Sequence, residues 1–113
     1  MPGEEAAAER LCAAVDGLVG RLPSLVGWRP ADPRGARTWR TDVVHALVQR
    51  VADMAADAEG VPRRSVPRLE PATTLGDQLR VVAADLIAGR PSVQDLTAAA
   101  ELIRESLSAL RKG

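Results

Sequence analysis

The chain has 113 residues, of which 46% are hydrophobic, and its 15 basic and 15 acidic side chains leave a formal net charge of zero. This length predicts one domain, 1–113, with a modest core, and the apolar fraction excludes disorder throughout. A neutral balance gives no general reason to expect nucleic acid or an anionic membrane as the partner. No apolar run is long enough for a bilayer and the N-terminus lacks the order of a signal peptide, so we expect a cytoplasmic protein.

The first predicted helix covers residues 4–22 and ends at Pro23. Cys12 is the only cysteine, which excludes an intramolecular disulfide, and we expect it to be a small buried thiol. Gly17 and Gly20 can let another helix come close. The apolar side chains at helical spacing are Leu11, Val15, Leu18 and Leu22.

The second predicted helix runs from residue 38 to 59 and is stopped by Gly60 and Pro62. The connector before it, 24–37, has two prolines and two glycines and predicts an irregular path. An earlier helix start at Pro33 remains an alternative. The predicted heptad seam consists of Val44, Leu47, Val51, Met54 and Ala58, extended toward the helix start by Trp39, Val43 and Ala46.

The second connector, 61–73, contains three prolines within ten residues, which excludes a helix. An extended, polyproline-like path is expected. Three apolar side chains, Val61, Val66 and Leu69, are predicted to attach this segment to the bundle surface.

The third predicted helix, within 74–89, is the most continuously apolar part of the chain. Thr74 is expected to cap it together with Asp77, and a left-handed Gly89 followed by Pro91 is expected to stop it. The predicted apolar face consists of Leu75, Leu79, Val82 and Leu86, widened by Val81, Ala83 and Ile87.

The last predicted helix spans 93–110 and starts with a capping box formed by Ser92 and Asp95. Its apolar stripe consists of Leu96, Ala99, Ala100, Ile103, Leu107 and Leu110.

Four amphipathic helices without a convincing strand predict an all-α fold, an antiparallel four-helix bundle with two long Pro/Arg-rich connectors. The short turn before the fourth helix predicts that the third and fourth helices are adjacent and antiparallel. Because each core layer has few large side chains, a homodimer would add burial.

One candidate for chemistry is the sequence RTDVVH, in which Arg40 precedes His45 by five positions. This spacing resembles the R-x4-6-H motif of HEPN-type ribonucleases, which are small four-helix bundles. The resemblance covers six residues and implies an RNA-binding protein or ribonuclease that uses Arg40 and His45, usually across a dimer cleft. The competing interpretation is a histidine on a helix flank with no catalytic role.

A second candidate is the arginine-rich first connector. Arginine with interleaved tryptophan can stack on bases and bind phosphates, but both residue types are also enriched at protein interface hot spots. Our leading interpretation is therefore a small helical protein–protein interaction protein, an adaptor or accessory protein that can also self-associate. The predicted partner-binding residues are Trp28, Arg29, Arg37 and Trp39.

Metal and cofactor chemistry is not expected. Asp77, Asp85, Glu101 and Glu105 offer carboxylates, but a di-metal bundle needs Glu-x-x-His pairs and His45 is the only histidine. We therefore expect no metal and no cofactor. Without a credible nucleophile–base pair, catalysis is disfavoured.

A third hypothesis is a small-ligand pocket between helices. The residues expected to line it are Trp39 and Met54, which both lie on the second predicted helix.

Overall fold

The described residues form four α-helices, which confirm the predicted all-α bundle. The computed structural model describes residues 2–26, 36–69, 74–89 and 91–112. The helices are α1 (Pro2–Val26), α2 (Ala36–Glu59), α3 (Thr74–Ala88) and α4 (Val93–Lys112). No strand occurs within the described ranges, and none of the helices there is both long and apolar enough to span a bilayer.

The core consists of aliphatic side chains from one face of each helix, whose removal from water is the main source of stability. All four predicted stripe residues of α1 are buried, and so is the stripe of α4 apart from a half-buried Leu107. The largest fully buried side chains are Leu11, Leu18, Leu22, Val44, Val48, Val51, Leu79, Leu86, Ile103 and Leu110.

The buried face of α2 is wider than the predicted heptad seam. Val48 and Ala55 are buried although they lie outside that seam, whereas Met54 is only half-buried. Ala46 and Trp39, expected to extend the seam, are exposed. A helix that packs against more than one neighbour uses a broader face than the two-helix seam of a coiled coil.

The packing order of the helices differs from the predicted one. Helix α1 packs chiefly against α4, and α2 chiefly against α3, with further contacts between α1 and α3 and between α2 and α4. Within the described residues α3 and α4 scarcely touch, so they lie on a diagonal of the bundle. The expected adjacency of α3 and α4 is wrong because α3 packs chiefly against α2, whereas α4 packs chiefly against α1.

Helices α2 and α3 run in the same direction, which is not the antiparallel arrangement expected from the sequence. Arg63, just after α2, binds Asp57 near the end of α2, whereas Arg68 binds Asp42 near its start. The chain therefore returns along α2 before α3 begins. The C-terminal ends of the two helices also meet, because Gly89, directly after α3, lies against the last turn of α2.

Helices α1 and α3 are antiparallel. Arg80 of α3 binds Asp16 of α1. Gly76, one turn earlier in α3, faces Val19 and Leu22, which come later in α1. A Cβ at Gly76 would lie 3.1 Å from Val19 Cγ1 and 3.3 Å from Leu22 Cδ1. The absence of a side chain at this position therefore sets how closely the two helices approach.

Helix α1 continues one turn beyond its predicted end, so the expectation that Pro23 terminates it is wrong. Leu25 packs against the core, and the burial of this side chain favours the extra turn. Ser24 Oγ donates a hydrogen bond to the carbonyl oxygen of Arg21 at 2.9 Å.

The outer face of α1 also differs from expectation. Cys12 is exposed rather than buried, because it lies beside the stripe that faces the core. Gly17 and Gly20 are exposed as well, and a Cβ built on either glycine would meet nothing within 4 Å. These two glycines therefore allow no close helix contact.

The capping box that starts α4 is confirmed. The backbone N–H of Asp95 donates to Ser92 Oγ at 3.0 Å, and the backbone N–H of Ser92 donates to Asp95 Oδ2 at 3.4 Å. At the start of α3, Thr74 Oγ1 donates to the carbonyl oxygen of Leu69 at 3.4 Å.

A Schellman motif ends α2. Gly60 has a φ of 73°, and the N–H groups of Gly60 and Val61 donate to the carbonyl oxygens of Asp57 and Ala56 at 3.2 and 3.0 Å. Gly89, expected to be left-handed, does not have a positive φ; among the described glycines only Gly60 does.

We predict opposite effects of alanine at two glycines. Gly60→Ala will lower the free energy of unfolding by about 1 kcal/mol, because a Cβ is strained in the left-handed conformation. Gly20→Ala, in an exposed helical position with open space around it, will raise that free energy by up to about 1 kcal/mol. Urea denaturation followed by circular dichroism measures both, and a shift of the same sign in the two variants would contradict this account.

Candidate functional site

The segment 61–69, which we call the strap, is attached to α2 through its backbone. The N–H of Val66 donates to Gln49 Oε1 at 2.7 Å, and Gln49 Nε2 donates to the carbonyl oxygen of Arg64 at 2.9 Å. His45 Nε2 lies 2.9 Å from the carbonyl oxygen of Val66. Because a carbonyl oxygen only accepts, this hydrogen bond requires the proton of His45 to be on Nε2.

Two strap arginines bind carboxylates of α2. Arg63 makes a bidentate contact with Asp57, in which Nε donates to Oδ1 at 3.0 Å and Nη2 donates to Oδ2 at 2.7 Å. Arg68 binds Asp42. The hydrogen bonds from Arg63 lower the pKa of the Asp57 carboxyl below its ordinary value. Exposed pairs of this kind add little stability each, so they mainly fix the path of the strap.

The apolar attachment of the strap is weaker than predicted. Val66 is half-buried and packs against the core, but Val61 and Leu69 are 47% and 48% exposed. The strap is thus held mainly by polar contacts, including a hydrogen bond from Gln78 Nε2 of α3 to the carbonyl oxygen of Pro67 at 2.9 Å.

Between the strap, α2 and α3 lies a cavity of about 770 Å³, which we call the strap groove. Small alanine side chains of α2 line it, and the strap and α3 contribute larger apolar groups. The apolar lining residues are Ala52, Ala55, Ala56, Val61, Pro62, Val66, Pro67, Leu69, Val81 and Val82.

Exposed apolar side chains converge on this groove. Five large apolar side chains of the described residues are exposed, and three of them line the groove: Val61, Leu69 and Val81. Val81 is 58% exposed, so the prediction that it widens the buried face of α3 is wrong. Val81 faces the groove, where no helix covers it. An apolar surface rimmed by polar residues is typical of a binding site.

The rim of the strap groove is acidic. The lining includes three carboxylates, those of Glu59, Asp77 and Asp85, but only one guanidinium, that of Arg64. The other two strap arginines are paired with α2. Within the described part of the chain no ion pair joins any of the three carboxylates to a basic side chain. The groove therefore combines an apolar floor with uncompensated negative charge.

Trp39 is the one predicted partner-binding residue whose side chain is described, and it lies outside this groove. Trp39 is 44% exposed on α2 and does not line the groove. Arg37 belongs to the first turn of α2, but its side chain lies outside the described residues, as do Trp28 and Arg29. A partner surface at these four residues remains a prediction.

The candidate pair Arg40 and His45 lies within α2. Five residues along a helix correspond to about 140° around its axis, so the two side chains leave α2 in different directions. His45 is bound to the strap, and Arg40 Nε is buried without a hydrogen-bond partner among the described residues. The ribonuclease hypothesis remains a prediction.

Neither Trp39 nor Met54 lines the strap groove, and a small-ligand pocket at these two residues remains a prediction. Among the described residues no group of three or more His, Cys, Asp or Glu side chains is placed to hold a metal ion.

Sequence reasoning missed Gln49 and Gln78, which bind the strap across long sequence separations. Glutamine on a helix surface has no periodic signature. The three prolines of the connector were the one available signal, because they predicted an extended segment that must be bound somewhere.

We predict that Gln49→Ala loosens the strap. It removes the hydrogen bonds to Arg64 and Val66, so trypsin will cleave after Arg64 several-fold faster while the helices remain folded. Gln94→Ala, an exposed glutamine of α4, is the matched control and will leave cleavage unchanged. Equal cleavage of the wild type and Gln49→Ala would show that these bonds do not hold the strap.

We also predict a pH dependence at Asp57. Its lowered pKa means that pairing with Arg63 stabilises the strap above the ordinary carboxyl pKa and that this stabilisation is lost as pH falls through the lowered pKa. An NMR titration will give a pKa below 3.8 for Asp57 in the wild type and a higher value in Arg63→Gln. Arg64→Gln is the control, and an identical pKa in all three proteins would contradict the assignment.

Comparison with protein-family models, with curated proteins and with solved structures finds no significant match to this chain.

Proposed function

We propose that this protein is a protein-binding module and that the strap groove receives an apolar segment of a different partner protein. One observation supports this proposal most directly. Val61, Leu69 and Val81 come from the strap and α3, yet their exposed surfaces meet in one groove. Covering the exposed parts of these side chains would contribute on the order of 1 kcal/mol each.

The shape of the groove suits a peptide segment. Its α3 wall extends from Thr74 to Asp85, and these eleven steps of about 1.5 Å span roughly 16 Å, or three helical turns. Its floor of alanines allows a partner backbone to come close. Binding of an amphipathic segment along an apolar groove is a common mode of peptide recognition.

The lining chemistry disfavours catalysis by a histidine base or a thiol nucleophile. The described lining of the groove contains no histidine and no cysteine, which are the usual general base and thiol nucleophile. His45 does not line the groove, and its Nε2 hydrogen-bonds to the carbonyl oxygen of Val66.

Site-specific photo-crosslinking tests this proposal. The photoreactive amino acid p-benzoylphenylalanine is introduced in place of Val81 or, as a matched control, in place of the exposed Val93 of α4. After irradiation of the cells that produce the protein, we expect a covalent adduct with another protein from position 81 and none from position 93. Mass spectrometry identifies the adduct.

Two outcomes would overturn the proposal. Adduct formation at position 81 that does not exceed that at position 93 would show that the groove has no protein occupant. An adduct that contains only two copies of this chain would show that self-association covers the groove.

A further inference from the structure

We infer that the segment bound in the strap groove is cationic, with arginine or lysine on either side of an apolar side chain. This inference rests on the proposed function, and it specifies the chemistry of the partner.

The acidic residues of α3 form a regular ridge along the groove. Asp77, Val81 and Asp85 are spaced by four residues, so they follow one another along a single helix face. Each step rises about 6 Å along the axis. Val81, the most exposed apolar side chain of the groove, therefore has one carboxylate a turn before it and another a turn after it. Glu59 of α2 supplies a third carboxylate to the groove.

No basic side chain of the described residues forms an ion pair with this ridge. Arg80, the basic residue of α3, binds Asp16 of α1, and Arg63 and Arg68 bind α2. Arg64 is the only basic side chain in the described lining. Positive charge from a partner would complement the groove.

Charge determines which segments bind, because the apolar floor attracts any hydrophobic peptide. A neutral or acidic segment would cover three carboxylates without giving them a counter-charge, which costs desolvation energy and adds repulsion. Basic residues at both ends of the apolar contact remove that cost. The rim therefore favours basic segments over others of equal hydrophobicity.

A random-peptide display library tests the inference. Clones are selected on the wild-type protein, and those that also bind Val81→Gln are removed, so that the remaining clones depend on the groove. Val93→Gln must still bind them, and thermal unfolding of both variants checks that they fold. We expect groove-dependent clones with more Arg and Lys than Asp and Glu, and with basic residues on both sides of an apolar residue.

The outcomes separate the two proposals. Groove-dependent clones that are neutral or acidic would overturn the cationic inference and leave the peptide-binding groove in place. If no clone depends on Val81, the groove does not bind peptides and the proposed function fails as well.

A selected peptide then allows a direct measurement of the charge effect. Fluorescence anisotropy will show binding about three- to tenfold weaker to Asp77→Asn/Asp85→Asn than to the wild type. The control Glu101→Gln/Glu105→Gln removes two exposed carboxylates of α4 and will leave the affinity unchanged. An equal effect of both double variants, or of neither, would contradict specific recognition by the α3 ridge.

Discussion

The parallel orientation of α2 and α3 is the constraint on which the rest of the structure depends. Two consecutive helices that point the same way require a connector that returns along the first helix. The distance from Asp57 back to Asp42 is about 22 Å of helix, a length that only an extended chain can cover in so few residues. The proline-rich strap meets this requirement because it cannot form a helix of its own.

The return path explains why the strap binds through its backbone. Outside regular secondary structure, the N–H and C=O groups of the strap have no neighbouring strand or helical turn to pair with. Gln49 supplies both a donor and an acceptor, and His45 supplies a donor, so side chains of α2 replace the missing partners. The same arrangement holds the strap to one side of the space between α2 and α3 and leaves the groove open.

Local sequence signals predicted most of the helices and little of their arrangement. The stripes of α1 and α4, the Ser92–Asp95 capping box and the stop at Gly60 depend on neighbouring residues, and the structure contains all of them. The helix order and the groove depend instead on contacts between distant residues, such as Gln78 with Pro67. The exposure of Val81 follows from that order, since α4 lies diagonally across from α3.

The shared direction of α2 and α3 also has an electrostatic consequence. Each helix has a macrodipole with partial negative charge at its C-terminus, and here the two C-termini lie side by side, because Gly89 packs against the last turn of α2. Two aligned dipoles repel each other, so hydrophobic packing between the helices must outweigh that repulsion. The paired negative poles lie at the end of the groove where Glu59 and Asp85 stand. The two helix dipoles therefore add negative potential at that end of the groove.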